Sequence, residues 1–161
     1  MFSYFAASEL NSILASVAPV IASPLIGFGD VPLNPPLSLI DFHGLNDDDI
    51  PYDVNSAWSN GGGPHDSVKS WDHMYYEQKP ATIAKRVREM ECQGESSDYP
   101  TRMDGVEGWA CKIWSCCLGG TEVVQCKGNF GHDYPFIGGP NAIEGTRIMW
   151  DFMRNHRKNK N

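Results

Sequence analysis

The chain has 161 residues, enough for one domain and short for two. Hydrophobic residues at 41% and charged residues at 20% exclude a disordered polymer, while 16 Gly and 11 Pro mark a loop-rich chain without low complexity. A formal net charge of −7 argues against a nucleic-acid binder that works by neutralising phosphates.

In chain order, residues 2–13 place Phe2, Phe5, Ala6, Leu10 and Ile13 at helical spacing and predict an amphipathic helix. The surrounding segment Met1–Gly27 is apolar and rich in Ala and Ser. It lacks an early Lys or Arg, and Glu9 and Asn11 interrupt it, so it does not fit a secretory signal. Residues 14–21 read as a short buried strand, and 22–36, with Pro24, Gly27, Gly29, Pro32, Pro35 and Pro36, as loop. Residues 37–42 read as the next buried strand, ended by His43-Gly44. An acidic loop follows, and five Asp fall between positions 41 and 53: Asp41 in the strand, then Asp47, Asp48, Asp49 and Asp53.

Residues 53–66 cannot be regular structure. Residues 67–78 carry Val68, Trp71 and Tyr75 on one helical face and predict a helix. Pro80 fits the first turn of a further helix with Ile83, Val87 and Met90 as its buried stripe and Gly94 as its stop. Residues 95–119 read as an irregular Cys- and Trp-rich insertion, residues 121–126 as a strand, and 127–140 as a Gly-rich loop holding His132. Asn141 and Glu144 suggest a capping box, followed by a last helix with Ala142, Thr146, Met149, Phe152 and Met153 inward. Arg147, Arg154, Arg157, Lys158 and Lys160 near the end suit a solvated helix terminus.

Short apolar strands alternating with helices predict a single α/β domain over 1–161, its parallel sheet flanked by helices. No run of 18 apolar residues is present to span a bilayer. The five cysteines, Cys92, Cys111, Cys116, Cys117 and Cys126, are clustered, which suggests local disulfides and an oxidising compartment. The odd count leaves at least one unpaired within the chain, and sequence does not choose among the pairings. The spacing does not fit the usual zinc pairs.

In such sheets, functional loops lie beyond the carboxyl ends of the strands. Two loops qualify, 43–53 and 127–140. Together they set an Asp before a His at neighbouring strand ends, the order Asp…His of a hydrolase triad. His132 is the candidate general base. Asp47, Asp48 and Asp49 compete as the carboxylate that orients it. Asp133 reads as a loop residue. Trp58, Trp114, Tyr134 and Phe136 are either packing under loops or the lining of a cleft; Tyr134 and Phe136 flank the base.

The motifs resemble the C-terminal half of an α/β-hydrolase esterase of the polyhydroxybutyrate depolymerase and feruloyl esterase-like group. His43, Gly44, Asp47, Ile50, Pro51 and Tyr52 match that group's segment around the catalytic acid. Gly61-Gly62, the helix ending at Cys92, the Cys/Trp region 111–117 and Glu122-Val123-Val124 follow in the family's order. So do Gly131, His132, Tyr134 and Pro135, then Trp150-Asp151-Phe152. The nucleophile elbow Gly-x-Ser-x-Gly is missing; Gly94-Glu95-Ser96-Ser97-Asp98 lacks its second Gly. Met1–Phe5 and Ala18-Pro19-Val20 match the part after the elbow, so the nucleophile and its oxyanion donors are expected upstream of Met1.

The resemblance implies a partial α/β-hydrolase fold and a secreted carboxylic ester hydrolase without cofactor or metal. Its implied triad has Asp47 and His132 in this chain, with Tyr134, Phe136 and Trp114 toward an aromatic-acyl or polyester substrate. The isolated chain is then expected to be inactive, and no nucleic-acid or membrane partner is implied; the oligomeric state stays open. Two alternatives compete, a catalytically dead hydrolase-like binding module and a calcium-binding acidic loop formed by Asp47, Asp48, Asp49 and Asp53. The spacing of the latter does not match the usual calcium loop.

Overall fold

A computed structural model describes residues 2–27, 32–57, 59, 62–64, 67–99, 109–132 and 140–157, with the side chains of 109 and 140–144 left out. Readings that involve Trp58, Gly61, Asp133, Tyr134, Pro135, Phe136, Lys158 or Lys160 lie outside the described residues.

Helix α1 (Phe2–Glu9) leads into strand β1 (Ser16–Val17), and β2 (Ser38–Gly44) follows after the Pro-rich loop. A two-stranded ribbon, β3 (Val68–Lys69) and β4 (Tyr75–Tyr76), precedes helix α2 (Lys79–Glu89). Strands β5 (Ser97–Asp98), β6 (Trp109–Trp114) and β7 (Val123–Gly128) and helix α3 (Pro140–Asn155) complete the order. The main sheet runs β1-β2-β7-β6-β5. Pairs β1–β2 and β2–β7 are parallel, and β7–β6 and β6–β5 antiparallel. The α/β class follows.

The interior strand β2 is buried along its whole length, as a strand covered on both faces must be. Its alternation sorts the core. Leu39 packs with Tyr4 and Ala7 of α1, Ile83 of α2 and Met90 on one face. Ile40 and Phe42 pack with Ile148 and Phe152 of α3 on the other.

Several expectations need correction. The sheet is mixed, because 95–119 is not wholly irregular: it supplies β5 and β6. The short link between Trp114 and Val123 only allows β6 to return antiparallel beside β7, since a parallel return needs a long crossover. Residues 67–78 form the β3–β4 ribbon instead of a helix. Asp72 accepts from the Ser70 hydroxyl and from the Met74 N–H at 3.0 Å, and this local bonding favours a turn over a helix.

The first helix is shorter than expected and turns a different face inward. Phe2, Phe5, Leu10 and Ile13 are exposed, and Tyr4, Ala7 and Ser8 are buried. On α3, Thr146 and Met153 are exposed and Ile148 is buried with Phe152; Asn141 lies inside the helix, one residue after its start.

The inward face of α1 is set by a polar cluster. Tyr4 donates to Asp41 Oδ2 at 2.5 Å. Lys79 Nζ donates to Asp41 Oδ2 at 2.9 Å, to Tyr4 at 3.2 Å and to the Ala22 carbonyl. All three side chains are essentially inaccessible. Burial pushes the Tyr4 hydroxyl well up, with the Asp41 charge adding to it. Burial pushes the Lys79 ammonium down against the pull of Asp41. The Arg86 guanidinium stands 6.0 Å from the Tyr4 ring and bonds Glu89 at 2.6 Å.

Two disulfides, Cys92–Cys117 and Cys111–Cys126, join α2's exit to the 3-10 turn at Leu118–Gly120 and bridge β6 to β7. Cys116 is the free thiol. Among the described residues no helix is long and apolar enough to cross a membrane.

A buried charge is far more expensive alone than paired. Lys79→Met is therefore expected to destabilise the fold by about 3–5 kcal/mol in urea unfolding, because it leaves the Asp41 charge without its cation. Adding Asp41→Asn to that variant removes the orphaned charge and is expected to recover the larger part of the loss.

Candidate functional site

Strands β2 and β7 run in parallel register with His43 beside Lys127 and Gly44 beside Gly128. Both therefore end at the same rim of the sheet. The link between them is tight. Leu45 N–H donates to the Gly128 carbonyl at 2.8 Å, and Asn46 N–H to the Phe130 carbonyl at 3.1 Å. Gly44 permits this approach: a Cβ there would lie 2.2 Å from the Phe130 oxygen and 2.8 Å from the Gly131 oxygen.

Beyond Gly44 the chain turns, and Asp47 fixes the turn with its own side chain. Its Oδ1 accepts from the Asp49 N–H at 3.0 Å and the Ile50 N–H at 2.8 Å. Ile50 anchors the far side of the loop, packing against the small cluster Leu25, Val68 and Tyr76. Past it, the Tyr52 carbonyl accepts from the Lys79 N–H at 2.9 Å, and Gln78 Oε1 accepts from the Val54 N–H at 3.2 Å. The acidic loop is thus tied to the ribbon region and to the start of α2.

Asp47 is fully buried, and His132 Nδ1 lies 3.0 Å from its Oδ1 and 3.1 Å from its Oδ2. A carboxylate only accepts, so Nδ1 carries a proton and, in the neutral ring, Nε2 holds the lone pair. The His132 side chain is 37% exposed. The structure therefore brings Asp47 and His132 together, and the other two acids separate by position. Asp49 Oδ2 lies 3.7 Å from His132 Nε2, on the opposite edge of the ring, whereas Asp48 is exposed.

His43 lies under this pair. Its Nε2 donates to the Ile50 carbonyl at 3.0 Å and lies 3.8 Å from Asp47 Oδ2. Its Nδ1 has no partner among the described residues. Burial drives the His43 imidazole well below its usual range and the Lys79 charge adds to this, so it is neutral at pH 7. Burial also raises the Asp47 carboxyl. The Ile50 N–H and the His132 ring oppose that shift without cancelling it.

Trp114 stands apart from the pair, contrary to the expectation that it lines the same cleft. In the β6–β7 ladder it sits beside Val123, whereas Trp109 sits beside Gly128, so Trp114 is at the opposite end of β7 from the His132 loop. The antiparallel direction of β6 is the reason. Trp114 instead lines a groove of about 400 Å³ with Pro80, Ile83, Ala84, Val87, Arg88 and Gln125.

Sequence reasoning missed Lys79, Tyr4 and the buried role of Asp41. A signal existed for two of them. Asp41 sits within the apolar run Leu39-Ile40-Asp41-Phe42, and Lys79 opens a helix, where a cation opposes the dipole unless an anion holds it. Among the described residues no group of three or more His, Cys, Asp or Glu is arranged to hold a metal ion. Compared with protein-family models and with curated proteins, the chain matches none.

Two outcomes follow from the geometry. A histidine whose folded pKa is depressed contributes stability above its unfolded pKa of about 6.5 and loses it as pH falls below that value. The unfolding free energy is expected to decline on acidification from pH 6.5, by up to about 1.4 kcal/mol per pH unit, and His43→Gln to flatten that segment of the curve. Gly44→Ala is expected to cost more than about 2 kcal/mol in thermal or urea unfolding, because its methyl group meets backbone that has no room to retreat.

Proposed function

We propose that this chain carries the acid and base of a serine-type carboxylic ester hydrolase with a partial α/β-hydrolase fold, of the feruloyl esterase and depolymerase-like kind. The observation that carries the reading is the buried Asp47 carboxylate on Nδ1 of a half-exposed His132, at the carboxyl ends of two adjacent parallel strands. In the proposed reaction His132 Nε2 takes the proton of a serine hydroxyl as its oxygen attacks the ester carbonyl. It then returns that proton to the departing alcohol. Asp47 holds the ring in the tautomer that leaves Nε2 free and balances the imidazolium as it forms. Water, deprotonated in the same way, releases the acid from the acyl-serine.

These 161 residues contain no Gly-x-Ser-x-Gly. The proposal takes the serine and the oxyanion donors from outside them, so the isolated chain is assigned no turnover. The two disulfides support a secreted protein, since such bonds persist in oxidising compartments. An aromatic acyl or polyester substrate rests on the resemblance of the motifs alone.

The test begins with the genomic sequence that precedes Met1, which is expected to encode Gly-x-Ser-x-Gly in frame. The polypeptide that includes it is expected to hydrolyse a simple aryl ester, and the 161-residue chain is not. In that polypeptide Asp47→Asn is expected to lower kcat by about 10³–10⁴-fold and His132→Ala by at least as much. Full activity in His132→Ala would remove the base from its assigned role. An intact fold without an upstream elbow would instead favour a catalytically dead relative kept for binding.

A further inference from the structure

The proposed roles use Asp47 and leave Asp49 unexplained. Asp49 presents Oδ2 3.7 Å from His132 Nε2, the nitrogen that would receive the serine proton. That distance exceeds a hydrogen bond, so Asp49 does not hold a ring proton on Nε2. The Asp49 side chain is 35% exposed, against 0% for Asp47. Asp47 faces inward to a ring nitrogen and two backbone N–H groups. Asp49 therefore places a carboxylate on the side of the ring where an ester has to sit.

The surrounding charge does little to offset it. Asp48 and Asp53 lie on the same loop, and the chain carries a net charge of −7. His43, beneath the pair, is neutral at pH 7. Of the described cations on the adjoining elements, Lys79 is buried against Asp41, and the Lys127 ammonium lies 5.9 Å over the Tyr52 ring.

We propose that Asp49 is a specificity-determining residue that disfavours carboxylate-bearing esters relative to neutral and cationic ones. This rests on the reading of His132 as the base of an ester hydrolase. An anionic group near the scissile carbonyl is repelled by the Asp49 carboxylate. A cationic group at the same place is attracted. For charges this exposed, the difference amounts to roughly three- to tenfold per unit of substrate charge.

The experiment uses the polypeptide that includes the upstream elbow and three 4-nitrophenyl esters of matched size. Their acyl chains end in a methyl, a trimethylammonium or a carboxylate group. Expected is a kcat/KM that falls from cationic through neutral to anionic, with the spread compressed by added salt. Asp49→Asn is expected to raise the anionic-to-neutral ratio by about three- to tenfold, and Asp48→Asn to move it less. Equal rates on the three esters in the unmodified protein overturn the proposal while the esterase reading stands. So does an equal response to Asp48→Asn and Asp49→Asn, which would trace the selectivity to the field of the whole loop. Absence of hydrolysis of all three overturns both readings.

Discussion

The parallel pairing of β2 with β7 is the constraint on which the site depends. Residues far apart in sequence meet because both strands stop at one rim, in a register that sets Gly44 beside Gly128. The close backbone approach at Gly44 then locks the two outgoing loops together before either carries a functional side chain. Asp47 and His132 are each only a few residues beyond that lock. Little chain is left to wander, so the carboxylate–imidazole contact is largely determined by the sheet.

The face of β2 that supports the site is unusually polar for a covered strand. Leu39, Asp41 and His43 follow one another on it, and the chain then turns to Asp47. Each polar group is answered by a different element: Asp41 by Tyr4 of α1 and Lys79 of α2, His43 by the Ile50 carbonyl, and Asp47 by the loop's own N–H groups and His132. Such a column is costly to desolvate and stable only when complete. Its members also feel one another, since the Lys79 charge disfavours protonation of His43 and the Asp47 charge favours protonation of Lys79. The ion pair on this face of the sheet and the carboxylate–imidazole pair at its rim thus form one electrostatic unit.

Much of this was legible in the sequence where a pattern is local or dictated by strand ends. The buried run 37–42 and the strand 121–126 were, and so was the helix begun around Pro80. The Asp-before-His order at two strand ends also pointed to residues that the structure holds in contact. What failed was decided at long range. The helical stripe Phe2, Phe5, Leu10 and Ile13 is apolar yet exposed, because the Tyr4 bond to Asp41 rotates α1 by its polar partner. Residues 67–78 mimic a helical period over a span too short to decide, and side-chain bonding from Asp72 turned them into a ribbon. Strand β6 was hidden because Trp109–Trp114 owes its conformation to the ladder with β7, and the reading of Trp114 as a neighbour of His132 failed with it.

Three consecutive aspartates with one charge and one shape occupy this loop, and burial alone distinguishes them. Asp47 is removed from water and is held by two N–H groups and an imidazole, which fixes the ring from behind. Asp49 remains part-solvated, so its charge is screened and needs no such partners, yet it stands close to the nitrogen left free in front. Asp48 projects into solvent, where its influence is weakest. The turn makes the assignment: capping by Asp47 of the N–H groups two and three residues on forces the intervening side chains outward. A sequence of identical carboxylates thereby becomes an orienting group, a charge at the mouth of the site and a solvated surface residue.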